Sequence, residues 1–404
     1  MIAFSLVLTA GALVLLLPLL SDLLSLARIA FGRQTLRGGT PELPRLLFLV
    51  PAHNEELLIL SCLGSLTRLE YPADRLDILV VADNCTDRTA ELVRQARVRC
   101  LERMDSDLRG KPHALRWAVQ GLPLDKLDAV VIVDADTTVS RAFAAALARL
   151  APLRNKAVQA YNDVANPGDS ALTKMAAVLS TANHRFAYGL KDLAGLNVPL
   201  SAGMCVGAGL LERYGWPAFS IGEDWELYAF LTERGVRIEA APGARLFAQE
   251  ARSLRQSASQ RKRWMGGKLT VLVRYGRRLL SSRHIGPAQK LDALAELSGV
   301  GPVVHLGVTL VAVSVTAVVQ PPGAAWIALA LAASLIRPGV HTVLAVATDP
   351  RPLRALLAFG YLPFYTIWRL GVAVAALGMV GDKPWVKTGR HSPASDRDTH
   401  PTER

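Results

Sequence analysis

Cysteine is scarce and unpaired. Cys62, Cys85, Cys100 and Cys205 are the only four in 404 residues, and no two form a C-x-x-C step. That excludes a cysteine-rich zinc module and a disulfide framework. Charge is scarce as well: 20% of residues are charged, where ordinary soluble domains carry roughly 25%. There is no internal repeat and no low-complexity segment. With 51% hydrophobic residues, the chain is neither disordered nor a coiled coil. Its length leaves room for about two or three domains.

Acids are outnumbered, 34 against 46 Lys and Arg, for a net charge of +12. Ten of the basic residues lie between Arg252 and Arg283, where there is no acid. Beside apolar helices, such a run suits anionic lipid headgroups, at ~1 kcal/mol per charge. The flanking apolar segments argue against nucleic acid as the partner.

The long apolar runs sit at the two ends. Residues 2–20 contain no charge; 19 residues make about 28 Å of helix, close to the ~30 Å bilayer core. The first basic residue, Arg28, follows the run, with Arg33, Arg37 and Arg45 after it. A signal peptide would carry its basic residues first. Residues 1–27 are therefore expected to be an anchor with its N-terminus outside, 28–43 a basic linker, and the next domain cytosolic. Residues 302–320 and 324–347 read as two further spans, joined at a Gln320-Pro321-Pro322-Gly323 turn. The stretch 355–380 contains Pro363 and Arg369, and is expected to lie in the interface rather than cross. The membrane region is thus 284–380, and 381–404 is a polar tail.

Between them, 44–283 reads as an α/β domain. Strand-like runs at 46–50, 77–82, 129–133 and 157–161 alternate with helical patterns at 57–69, 86–96, 112–119 and 141–150. This alternation predicts a mostly parallel sheet whose ligands sit at the carboxyl ends of the strands. Those ends carry acids: Asn54-Glu55 after the first strand, Asp83 after the second, Asp134-Ala135-Asp136 after the third. Any one could cap a helix, as Asp87 and Glu91 are expected to do. Three strands discharging acids at one edge repel each other unless a cation or ligand holds them. Two carboxylates two residues apart can share a hard divalent ion with a substrate diphosphate. Lys174, His184 and Arg185 are expected at the surface of a helix.

Further along stand Glu223-Asp224 and Gln260-x-x-Arg263-Trp264. With these the sequence resembles the membrane-integrated branch of family 2 glycosyltransferases, which includes cellulose, chitin, hyaluronan and poly-N-acetylglucosamine synthases. The family's ordered motifs are matched by Asn54-Glu55, Asp83, Asp134-Ala135-Asp136, Glu223-Asp224 and Gln260-x-x-Arg263-Trp264. Gly110 to Leu115 resembles its G-K-x-x-A-L segment, and Trp385 to Arg390 its W-x-x-T-x-R loop. Where many polymer synthases have an aromatic acceptor segment, this chain reads Ser201-Ala202-Gly203-Met204-Cys205-Val206-Gly207.

The resemblance implies a GT-A, nucleotide-diphospho-sugar transferase fold flanked by membrane and interfacial helices. It implies a UDP-sugar donor, with Glu55, Asp83, Lys111, Asp134, Gln260, Arg263 and Trp264 binding it. It further implies Mg²⁺ or Mn²⁺ at Asp134 and Asp136, and Asp224 as the general base of an inverting transfer. The expected product is an exported bacterial polysaccharide, made at the inner membrane with an export partner subunit. Ceramide-glucosyltransferase-like enzymes share Q-x-x-R-W, so transfer of one sugar to a lipid is the alternative.

Overall fold

The computed structural model describes residues 1–32, 42–251 and 253–381. The sheet has eight strands: β1 (Leu46–Ala52), β2 (Leu76–Asp83), β3 (Arg99–Arg103), β4 (Ala129–Ile132), β5 (Thr137–Val139), β6 (Ala157–Val164), β7 (Met204–Gly207) and β8 (Ile238–Ala248). Their order is β3-β2-β1-β4-β7-β6-β8-β5. The first four in this order run parallel, and β7 is inserted antiparallel between β4 and β6. Leu46–Val50 of β1 is buried on both faces, as expected of a parallel strand covered by helices on each side.

Register decides where the acids go. Ala52 of β1 pairs with Ala82 of β2, and Leu49 of β1 with Ile132 of β4. Asp83, Asp134 and Glu55 therefore leave the sheet at one edge. The four strands expected from sequence are β1, β2, β4 and β6. The others escaped for physical reasons. β3 is polar (Arg-Cys-Leu-Glu-Arg), β5 is three residues long, and β8 carries Pro242-Gly243 in its middle. The segment 201–207 is no acceptor loop as a whole: its second half is the buried strand β7.

Ten helices position the site. They are α1 (Ile2–Phe31), α2 (Lys111–Gln120), α3 (Ala171–Thr181), α4 (Tyr188–Leu193), α5 (Glu223–Glu233), α6 (Leu254–Ser281), α7 (Pro287–Ser298), α8 (Pro302–Val319), α9 (Ala324–Ala347) and α10 (Pro352–Leu377). A π-helical turn, Ala182–Ala187, joins α3 to α4. Among the described residues, four helices are long and apolar enough to cross a membrane: α1, α8, α9 and α10.

Asp22, Arg337 and His341, deep within these apolar helices, face protein. Asp22 of α1 lies 3.1 Å from Arg337 and 3.2 Å from His341 of α9. Ser21 donates to Asp292 of α7 at 2.6 Å. Lys191 of α4, fully buried, meets Asp292 at 2.5 Å and Glu296 at 2.7 Å. This polar seam fixes α1 and α9 to the α/β domain, and pairs ionisable groups that lie within apolar helices. The Gln320–Gly323 turn meets the start of α1, where Ser5 donates to the Pro322 carbonyl at 2.6 Å.

Both ends of α10 touch the domain. Asp349, just before α10, pairs with Lys174 of α3 at 2.6 Å. Past its other end, Gly381 N–H donates to Thr270 Oγ1 of α6 at 2.9 Å.

Two expectations need correction. Lys174 and His184 are not surface groups. Lys174 is spent on Asp349, and His184 packs between Tyr161 and Tyr188, with ring centroids at 5.5 and 4.8 Å. The basic run is also no open lipid face throughout: Arg261, Arg274 and Arg278 pair with Glu250, Glu226 and Glu233.

Candidate active site

A cavity of about 840 Å³ opens at the carboxyl edge of the sheet. All nine residues expected from sequence line it: Glu55, Asp83, Lys111, Asp134, Asp136, Asp224, Gln260, Arg263 and Trp264. Each is delivered by local structure. Asn54 adopts a left-handed φ of 54°, which Asn tolerates, and its Oδ1 accepts from Thr86 N–H at 2.7 Å. That turn leaves Glu55 at the cavity. Gly110, at φ 102°, makes the bend that starts α2 with Lys111 at its first position. Gln260, Arg263 and Trp264 are spaced i, i+3, i+4 on α6 and share one face.

Asp83 is held rigidly. Arg103 Nη1 reaches its Oδ1 at 2.5 Å, both side chains being nearly buried, and Gly110 N–H donates to Oδ2 at 3.3 Å. His53 Nδ1 sits 2.7 Å from the Asp83 carbonyl. Arg103 escaped sequence reading because an edge strand of mixed polarity carries it.

Lys111 Nζ bridges Asp134 at 2.6 Å and Glu223 at 3.0 Å. Burial opposes its charge, but the two carboxylates outweigh that and hold the ammonium above its ordinary range. Beside it, burial and then the neighbouring Glu223 push the Asp224 carboxyl up to about 7, against the pull of its hydrogen bond from Trp225 N–H and of Lys111.

The acids fit a divalent cation in one way. Among the described residues no three His, Cys, Asp or Glu side chains form a metal cage of their own. Asp134 and Asp136 could supply hard oxygen ligands, and the remaining ligands would come from a donor diphosphate and water, as Mg²⁺ prefers.

Two glycines join the motifs. A Cβ on Gly267 of α6 would stand 2.9 Å from Gly222 backbone, immediately before Glu223-Asp224. The Q-x-x-R-W helix and the E-D turn thus touch backbone to backbone. A Cβ on its neighbour Gly266 would stand closer still, 2.5 Å from Met379 Cβ.

Sequence reading missed the far half of the cavity: Lys268, Glu296, His305, Arg337, His341 and Arg369. Lys268 had a signal, since Gln260, Trp264 and Lys268 follow at i, i+4, i+8. Its Nζ donates to the Gly299 carbonyl at 2.7 Å and lies 4.2 Å from the centroid of the Trp225 ring. Burial lowers its pKa to about 8, against the pull of Glu296. The proposed Trp385–Arg390 loop and most of the basic linker lie outside the described residues.

A mostly parallel sheet with an acid-lined cavity at its carboxyl edge, closed by a Q-x-x-R-W helix, defines a nucleotide-sugar transferase of GT-A type. The chain belongs to the glycosyltransferase-like family 2, whose family model matches residues 44–267. It is 27% identical over 255 residues to a probable glycosyltransferase, YdaM, of Bacillus subtilis, covering 59% of each chain. It is 34% identical over 141 residues to a β-monoglucosyldiacylglycerol synthase of Nostoc sp., covering 33% of this chain and 29% of that one. The chain thus spans about three-fifths or less of these curated relatives. A mannosyltransferase of Pyrobaculum calidifontis, solved with GDP-Man and Mn²⁺, has the same fold over 93% of this chain and 96% of its own, with TM-score 0.58 and 24% identity.

Proposed function

We propose that this chain transfers a sugar, with inversion, from a UDP-sugar on the cytosolic side of a bacterial inner membrane to an acceptor delivered from the membrane. One observation carries the reading: a single cavity runs from the strand-end acids past Asp224 and Trp264 to residues of α8, α9 and α10. Single-ligand pockets span ~300–1,000 Å³, so about 840 Å³ suits one nucleotide sugar and the end of one acceptor. We therefore favour a lipid or lipid-linked acceptor.

Glu55 and Asp83 would meet the nucleoside, and Lys111 the phosphate side of the donor. A divalent cation, Mg²⁺ or Mn²⁺, held by Asp134 and Asp136, would offset charge on the leaving diphosphate. Asp224 would accept the proton of the attacking hydroxyl; a carboxyl raised toward neutrality is well matched to that work. Gln260 and Arg263 would hold donor and acceptor, with Trp264 as a flat face for a sugar ring.

A second reading, processive extension of an exported polysaccharide through a partner subunit, is favoured by Trp264, which remains 46% exposed beside the acid cluster. Membranes containing the chain, incubated with radiolabelled nucleotide-sugars, separate the two. A single organic-soluble glycolipid is the expected product. High polymer without such a glycolipid would replace the first reading by the second, and no transfer from any nucleotide-sugar would remove both.

A further inference from the structure

The membrane-side half of the cavity contains several cations, and all but one are matched. Arg337 is matched by Asp22 and Glu296. Arg261 is matched by Glu250, and its Nε also donates to Ser257. His341 faces Asp22, and His305 meets the Ser334 hydroxyl at 2.9 Å. Lys268 has the Gly299 carbonyl and the Trp225 face. Arg369 differs. Among the described residues no acid pairs with it, and its Nη1 is buried without a hydrogen-bond partner. Its charged neighbours are Arg261, which repels it, and Glu250, already taken by Arg261.

Arg369 lines the cavity itself, together with Tyr365 of the same helix. Gly301, just before α8, is close by: a Cβ there would stand 3.8 Å from Arg369 Nη2. On its own helix lie Tyr365 and Trp368, stacked at 5.5 Å and 17°. A buried guanidinium left without a counter-charge is costly. Its planar donor fork matches a phosphate.

We propose that the membrane-side end of the cavity is a phosphate site built on Arg369, taking a phosphate group carried by a lipid acceptor. This rests on the membrane-delivered acceptor proposed above, and adds the acceptor's chemical class. The other source of the same chemistry is the donor's own diphosphate.

The test uses the full chain in nanodiscs of phosphatidylcholine and three probes: dihexanoyl phosphatidic acid, dihexanoylglycerol and UDP. Binding is followed by calorimetry. Phosphatidic acid should bind saturably and more tightly than the diacylglycerol. Arg369→Gln should weaken it by ~10- to 100-fold, as loss of a charged hydrogen-bond pair does, and Arg369→Lys should weaken it less. UDP affinity should not change in either variant. An equal loss of UDP affinity would assign Arg369 to the donor diphosphate and overturn the proposal. Diacylglycerol binding as tightly as phosphatidic acid would overturn it while leaving a membrane acceptor in place. Binding of neither lipid would overturn both. Thermal unfolding supplies a separate readout: removing an unmatched charge should leave the melting temperature level or raise it. A clear fall in Arg369→Gln would mean that Arg369 has a structural partner, and the site would be abandoned.

Discussion

Lys111 Nζ lies 2.6 Å from the Asp134 carboxylate, so the first helix residue after Gly110 holds the D-x-D acid that follows β4. The same ammonium reaches Glu223 at 3.0 Å. One cation therefore ties together three motifs far apart in sequence. It also sets the charge balance at Asp224, whose carboxyl it pulls down while burial and Glu223 push it up.

This gives a pH prediction. If Asp224 must be ionised to accept a proton, activity rises with pH through its pKa, about 7. Lys111→Gln removes a cation that lowers that pKa, so the acidic limb of kcat/KM should move to higher pH. Rate profiles of the two proteins check this. An unmoved limb would separate Lys111 from the titrating group.

Asp224→Asn keeps the side-chain shape but cannot take a proton. Transfer should fall by at least ~10²-fold, the usual contribution of a positioned base. UDP affinity, measured by calorimetry, should remain near normal. Near-native transfer in the Asn variant would remove Asp224 from the role.

Activity should vanish in EDTA and return with Mg²⁺ or Mn²⁺. Asp136→Ala should raise the metal concentration needed for rescue, because a two-carboxylate site would lose one of its ligands. Full turnover in a metal-free preparation would rule out the assignment.

The contact between Gly267 and Gly222 predicts a sharp steric effect. Gly267→Ala places a methyl group 2.9 Å from Gly222 backbone, which must separate α6 from the E-D turn. Overpacking of this kind costs ~1–3 kcal/mol, and it should lower transfer together with thermal stability. Gly276→Ala on the same helix meets only Leu272 Cδ1, at 3.7 Å. It should be neutral or mildly stabilising, since Ala favours helix over Gly by ~1 kcal/mol. Equal behaviour of the two variants would show that the glycine contact does not matter.

The half of the site on the sheet was legible because strand periodicity and the acids after it are local signals. Pro51 to Glu55, Asp83 and Asp134 to Asp136 follow apolar runs that could only be buried strands, and register brought them to one edge. The membrane-side half was not legible, because each of its charges looks like a flaw when read alone. Arg337 interrupts an apolar run, and only the fold shows Asp22, 315 positions earlier, beside it. Arg369 reads as a cost to insertion; the fold turns it into the wall of the cavity. Lys191 and His184 gave no periodic signal, since the helix carrying them passes through a π-turn at Ala182–Ala187.

The same contacts bear on how many times the chain crosses. By length and composition α10 could span a bilayer. Yet Asp349, just before it, pairs with Lys174 of α3, and Gly381, just after it, donates to Thr270 of α6. A helix whose two ends both meet the catalytic domain starts and finishes on that domain's side. Lying along the interface also spares Arg369 the ~2.5–3.5 kcal/mol of a central insertion. Ser5 meets Pro322 at the α8–α9 turn, so the start of α1 and that turn lie together. The prediction is that the tail shares the cytosolic side with the catalytic domain. Thr402→Cys should resist an impermeant thiol reagent in intact cells and react after lysis, in a background where the four native cysteines are serine. Labelling in intact cells would show that α10 crosses, and would overturn the interfacial placement.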